Sequence, residues 1–186
     1  VQFLRKGLVG VDAKTGNFLW RYDATSDQGA NILTPVVDGN LVFTAGRPGG
    51  GLVELKADGE DVTATEVYLV KELSASIGGA VLLDGALYGT NRQVMFCADY
   101  TTGEVLWNDR ALGAASICYA DGRLYVRGHT DGDVALVEPT KEGYKEHGRF
   151  LPELRSDIRA WPHPVVANGG LYLRAQDVLL CYDVAE

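Results

Sequence analysis

One nine-residue phrase is written twice in this chain. DAKTGNFLW occupies residues 12–20 and DYTTGEVLW occupies residues 99–107. Both keep Asp, Thr, Gly, Leu and Trp at the same places, and Gly16 and Gly103 stand 87 residues apart (103 − 16). A fixed offset constrains the fold more than composition does, because a repeated phrase implies a repeated structural unit. A second phrase sets the length of that unit. VVDGNLVF, LLDGALYG, YADGRLYV and VANGGLYL carry Gly39, Gly85, Gly122 and Gly169, at intervals of 46, 37 and 47 residues. The mean is about 43 residues, so the longer offset covers two units.

The content of each unit is strand. An apolar run leads into an Asp-Gly or Asn-Gly pair and then into alternating apolar residues such as Leu124, Tyr125 and Val126, a strong local hairpin signal. A second hairpin follows through the repeated phrase. Asp12 and Asp99 can accept the amides ahead of them, and Gly16 and Gly103 supply a positive φ that a Cβ would resist. Trp20 and Trp107 close the phrase on the outer strand, where a large flat ring can pack between neighbouring units. No long window carries a capped helical period. Four strands per unit at this period make the blade of a β-propeller. The sequence therefore predicts an all-β fold of four-stranded antiparallel blades, with units of approximately 1–24, 25–72, 73–110, 111–151 and 152–186. Strand counting starts inside one blade and stops after three strands of another, which gives about four to four and a half blades.

Composition excludes several classes. Apolar residues make up 46% and charged residues 23%, ordinary values for a folded domain. The net charge of −8 argues against nucleic acid, whose phosphates require basic patches. No apolar run approaches the length of a membrane-spanning helix. Cys97, Cys118 and Cys181 form no C-x-x-C pair. Cys97 and Cys181 fall at equivalent third-strand positions and are expected as small core residues.

The two D-x-x-T-G-x-x-L-W copies, with the ending WPHPVVANGGLYLRAQDVLLCYDV, resemble the repeat of pyrroloquinoline-quinone-like (PQQ-like) propellers. That superfamily holds the quinoprotein alcohol dehydrogenases and the BamB-like proteins, and the ending looks closest to exported BamB-like repeat proteins of bacteria. The resemblance implies an eight-bladed ring, of which this chain would be the C-terminal half. The expected partner is then a second copy closing the ring or a missing N-terminal half. It also implies a periplasmic or otherwise exported location. On function it implies a non-catalytic binding or interaction scaffold, with a protein or small-molecule ligand on the rim or channel. The alternative is part of a PQQ-dependent alcohol or sugar dehydrogenase holding the quinone with calcium. A sugar-binding propeller has no positive sign in the residues.

Candidate site residues follow from the strand that borders the axial channel. Counting six and eight residues back from each hairpin glycine aligns Leu33, Gly79, Ser116 and His163, and then Asn31, Ile77, Ala114 and Trp161. Asn31, Ser116, Trp161 and His163 are polar or aromatic there and are ligand-binding candidates. RAWPHPVV is the most informative stretch, since Pro162 and Pro164 stiffen the backbone around Trp161 and His163. An indole can stack on a flat ligand, an imidazole can exchange a proton near neutral pH, and Arg159 can clasp a carboxylate. The bland alternative is a rigid lead-in to the last blade, with Trp161 covering the core. Asp157 is the remaining candidate for a dehydrogenase acid. His129 and His147 lie in turn-like sequence and are expected to be solvated. Asp131 and Asp133 have loop-like spacing but too few carboxylates for calcium. No catalytic residue and no metal site is assigned.

Overall fold

The computed structural model describes residues 1–27, 29–75, 77–110, 112–154 and 159–185. The described residues form five antiparallel sheets in chain order. The first holds β1 (Gln2–Leu4), β2 (Gly7–Val11) and β3 (Phe18–Tyr22). The second holds β4 (Val36–Asp38), β5 (Leu41–Ala45), β6 (Gly50–Asp58) and β7 (Asp61–Val70). The third holds β8 (Ala80–Leu83), β9 (Ala86–Thr90), β10 (Met95–Asp99) and β11 (Val105–Asp109). The fourth holds β12 (Ala115–Ala120), β13 (Arg123–Gly128), β14 (Val134–Val137) and β15 (Glu146–Phe150). The fifth holds β16 (Val165–Ala167), β17 (Gly170–Ala175) and β18 (Val178–Asp183). A 3-10 turn over Lys71–Leu73 is the one helical element described. The all-β expectation holds, with strands meandering in sequence order through each sheet. Among the described residues no helix is long and apolar enough to cross a membrane.

The repeated phrase folds as its chemistry requires. Asp12 Oδ1 accepts the amides of Lys14 at 3.0 Å and Thr15 at 2.7 Å, and the Thr15 hydroxyl at 2.8 Å. Asp99 Oδ1 does the same with Thr101 and Thr102, both amides at 2.9 Å. Gly16 and Gly103 take φ values of 77° and 74°, which favour glycine. Acceptance of these hydrogens holds both carboxyls below their usual pKa; the Thr15 amide contributes most at Asp12 and the Thr101 hydroxyl most at Asp99.

The core lies between successive sheets. Phe3, Leu8 and Trp20 of the first sheet pack on Val42 and Val53 of the second. Phe43 and Leu52 pack on Leu87, Phe96 and Tyr100 of the third. Tyr88, Met95 and Cys97 meet Ile117, Leu124 and Val126 of the fourth. Val134 meets Leu171 and Leu173 of the fifth. Trp107 bridges the third and fourth sheets: Nε1 donates to the Thr140 carbonyl at 2.7 Å, and its ring lies 6.3 Å from both Tyr88 and Tyr144.

Two expectations are corrected here. The hairpin glycines are not all equivalent. Leu83 pairs with Ala86, Ala120 with Arg123 and Ala167 with Gly170, so Gly85, Gly122 and Gly169 take the second turn position. Asp38 pairs with Leu41, so the second sheet turns on Gly39-Asn40. Asp84, Asp121 and Asn168 have positive φ beside their glycines, whereas Gly39 alone does so in its pair. A leading glycine selects the II′ turn and an Asp-Gly or Asn-Gly pair the I′ turn. The alignment slips by one residue, so Ile32 and Thr34, not Asn31 and Leu33, match Trp161 and His163 in spacing from the turn. The second correction concerns Cys181. It matches Cys97 in register, each opposite a tyrosine, yet Cys97 is buried and Cys181 exposed. The fourth sheet packs on Cys97, whereas Cys181 lies on the last described sheet, which has no further described sheet to pack on it.

Candidate functional site

Strands alternate direction, so the turns β1–β2, β5–β6, β9–β10, β13–β14 and β17–β18 all lie at one end of the sheets. Those turns carry Arg5 and Lys6, Arg47, Arg92 and His129, together with Asp131, Asp133 and Asp177. The turns at the opposite end carry Asp12, Glu60, Asp84, Glu104 and Asp121, together with Lys14, Lys141 and Lys145. Both ends therefore carry charges of both signs. The segment joining β15 to β16 crosses the first of these ends, and it holds Arg159, Trp161 and His163.

That segment is gripped from beneath by the fourth sheet. The Ala160 amide donates to the His129 carbonyl at 3.0 Å. The buried Ser116 hydroxyl donates to the Trp161 carbonyl at 3.1 Å. Arg127 Nη1 donates to the Arg174 carbonyl at 2.7 Å and reaches the Pro162 carbonyl at 3.5 Å. Three consecutive backbone positions are thus held, and the prolines remove much of the remaining freedom. With its backbone fixed, the segment turns its side chains outward: Trp161 is 51% exposed, and Arg159 and His163 are exposed too. The arrangement is a rigid platform with an indole, an imidazole and a guanidinium on its outer side.

The grip has a counterpart one unit earlier. Thr90 ends β9 and exchanges hydrogen bonds with both backbone groups of Ala115, at 2.6 and 3.1 Å. Arg127 occupies the matching register position of β13. A short hydroxyl is replaced there by a long buried cation.

The structure brings Ser116, Trp161 and His163 into one neighbourhood with Arg159 beside them. The His163 imidazole lies over Gly79, whose Cβ, if present, would stand 2.8 Å from His163 Cε1. Asn31 lies apart. Its amide nitrogen donates to the Leu4 carbonyl at 2.7 Å and its oxygen accepts the Asp27 amide at 3.1 Å. It ties the first sheet to the second and keeps little capacity for a ligand. Asp157 lies outside the described residues. Trp161 does not cover the core.

Two residues of this neighbourhood escaped the sequence. His129 is 3% exposed, not solvated, because the β13–β14 turn folds under the platform. Its Nε2 lies 2.9 Å from Ser116 Oγ. The serine proton is committed to the Trp161 carbonyl, so His129 presents Nε2–H and leaves Nδ1 without a partner. Burial first, then the charges of His163, Arg127 and Arg159, push its pKa down to about 4. Arg127 is the other. No local signal marks it, since its burial depends on a segment thirty-odd residues later in the chain. His147 is exposed as expected and meets Glu138 at 2.6 Å.

Among the described residues no group of three or more His, Cys, Asp or Glu is arranged to hold a metal, and Asp133 is engaged by Arg149 at 2.8 Å. A concavity of about 930 Å³ lies between the fourth and fifth sheets against Arg123, Tyr125, Phe150 and Leu171, away from Trp161 and His163.

Comparison with known proteins agrees with the architecture. The family model described as outer membrane protein assembly factor BamB matches residues 1–109. BamB from Moraxella catarrhalis is similar in structure, with a TM-score of 0.65 at 17% identity over 92% of this chain and 50% of that one. The computationally designed Ika8 protein gives 0.68 at 10% identity over 97% and 53%. A chain of the mitotic checkpoint complex gives 0.57 at 9% identity over 98% and 71%. The chain spans about half the length of the solved BamB. No curated protein matches it.

Proposed function

The chain belongs to the family of the outer membrane protein assembly factor BamB, and from that membership we propose that it is a non-catalytic propeller module, a binding or interaction scaffold of an exported bacterial protein. The observation that supports this reading most is the platform. Ser116 and Arg127 donate to the carbonyls of Trp161 and Pro162, and the His129 carbonyl accepts the Ala160 amide, a grip that leaves Arg159, Trp161 and His163 facing outward. Buried polar groups used for positioning, with aromatic and cationic groups presented to solvent, suit recognition of a partner. They do not suit chemistry, which needs a reacting group held in an enclosed site. The unpaired edge of β18 suits pairing with a further strand, from a second copy or another segment. Sedimentation at the mass of a single chain would remove the second copy.

The experiment that separates this reading from a quinoprotein dehydrogenase is a titration of pyrroloquinoline quinone with calcium, followed by tryptophan fluorescence. The scaffold reading expects no saturable quenching. Saturable quenching that Trp161→Phe abolishes would overturn it and place a quinone on the platform.

A further inference from the structure

Among the described residues no acid pairs with the buried cation beneath the platform. Arg127 is 2% exposed, its described acceptors are two backbone carbonyls, and its Nε has none. Among the described residues no ion pair reaches it. Arginine does not escape burial by losing its proton, and a buried charge short of an opposite charge is costly to keep. Arg127 forms the floor of a narrow cleft whose exposed rim includes Arg159 and Arg174. Asp131 is the one acid among the residues that line it.

Size and surroundings narrow the occupant. The free volume of the cleft is about 10 Å³, room for a single oxygen-sized group. A flat cofactor or a sugar ring does not enter, whereas one oxygen of a carboxylate does. Guanidinium groups recognise carboxylates through paired N–H donors. The rim is also apolar, with Leu154 at 60% exposed and Pro152, Ala160 and Pro162 among the lining residues. Around the cleft Arg127, Arg159 and Arg174 outnumber Asp131, on a chain whose net charge is −8.

We infer that this cleft takes the carboxylate of an acidic residue in a partner peptide, with a neighbouring apolar side chain resting on Leu154. One carboxylate oxygen meets the buried Arg127, and the exposed Arg159 closes on the other. The inference rests on the scaffold reading and names the chemistry of the partner.

The probe is acetyl-Leu-Asp-Leu-amide, titrated into nitrogen-15-labelled protein and read on the side-chain Nε–H resonances of Arg127 and Arg159. Acetyl-Leu-Asn-Leu-amide, which keeps the shape and loses the charge, is the control. The aspartate peptide is expected to shift the Arg127 resonance saturably, and the asparagine peptide to bind at least about tenfold more weakly. Arg127 is buried and its replacement risks the fold, so the variant is the exposed Arg159→Ala, expected to weaken the aspartate peptide by about fivefold or more. Arg123→Ala, in the distant groove, is expected to leave binding unchanged. An unmoved Arg127 resonance, equal binding of the two peptides, or unchanged binding to Arg159→Ala would each overturn the inference. The quinone titration reads a different signal, so it judges the scaffold reading independently.

Discussion

Acidification offers a sharp test of the platform's foundations, because His129 is buried neutral. Protonating Nδ1 would create an unpaired buried donor close to Arg127, Arg159 and His163, the groups that oppose its charge. Its folded pKa of about 4 lies below the roughly 6.5 of an unfolded histidine. The unfolded chain therefore takes up the proton first as pH falls, and folding free energy declines from about pH 6.5 and levels near pH 4. Between pH 7 and 4.5 the loss is close to two pK units, or about 2.5 kcal/mol at roughly 1.36 kcal/mol per unit. Other groups titrate in the same window. Asp12, Asp99, Glu138 and Glu146 have lowered pKa values and give up their contributions at the acid end. His129→Gln isolates the histidine, since glutamine keeps a donor for Ser116 and does not titrate. Urea unfolding followed by tryptophan fluorescence is measured at both pH values for both proteins. The parent is expected to lose about 2.5 kcal/mol more than His129→Gln. Equal losses, or a larger loss in the variant, would show that the imidazole does not sit buried and neutral against Ser116.

Trp20 and Trp161 are expected to separate by role. Trp20→Ala removes a ring buried between the first two sheets and should cost about 3–5 kcal/mol, whereas the half-exposed Trp161→Ala should stay within about 0.5 kcal/mol; urea midpoints read both, and a large Trp161 effect would mean the indole supports the fold. Asp99→Ala deletes the acceptor of two amides and two hydroxyls and should cost about 1–2 kcal/mol. Thermal unfolding checks this, and an unchanged midpoint would show that water replaces the carboxylate at no cost. Gly79→Ala places a methyl against His163 Cε1, so the His163 ring resonances should shift while the third sheet stays folded; unchanged resonances would separate the two residues.

The repeat was legible because its chemistry is local. Asp12, Thr15 and Gly16 make their turn from residues within five positions of one another, and Asp99, Thr102 and Gly103 repeat it, so a single chain displays both turn and period. The I′ hairpins at Gly85, Gly122 and Gly169 were legible for the same reason. The one-residue slip at Gly39 was not, because D-G-N and D-G-A read alike until strand pairing chooses which two residues turn. That slip is why Asn31 was aligned with Trp161 although it ties two sheets together instead.

The sequence by itself determined that the complete units are four-stranded and antiparallel, and that Arg159, Trp161 and His163 share a stiff segment. Tertiary structure alone decided that the fourth sheet grips this segment's backbone and turns its side chains to solvent. It also decided that His129 lies under the platform as a neutral base and that Arg127 lies buried without an acid. Burial and orphaned polar atoms arise when segments distant in sequence pack together. A turn keeps its hydrogen bonds within a few residues and so writes itself into the sequence, whereas the partners of Arg127 and His129 are set by where the next unit of the chain comes to rest.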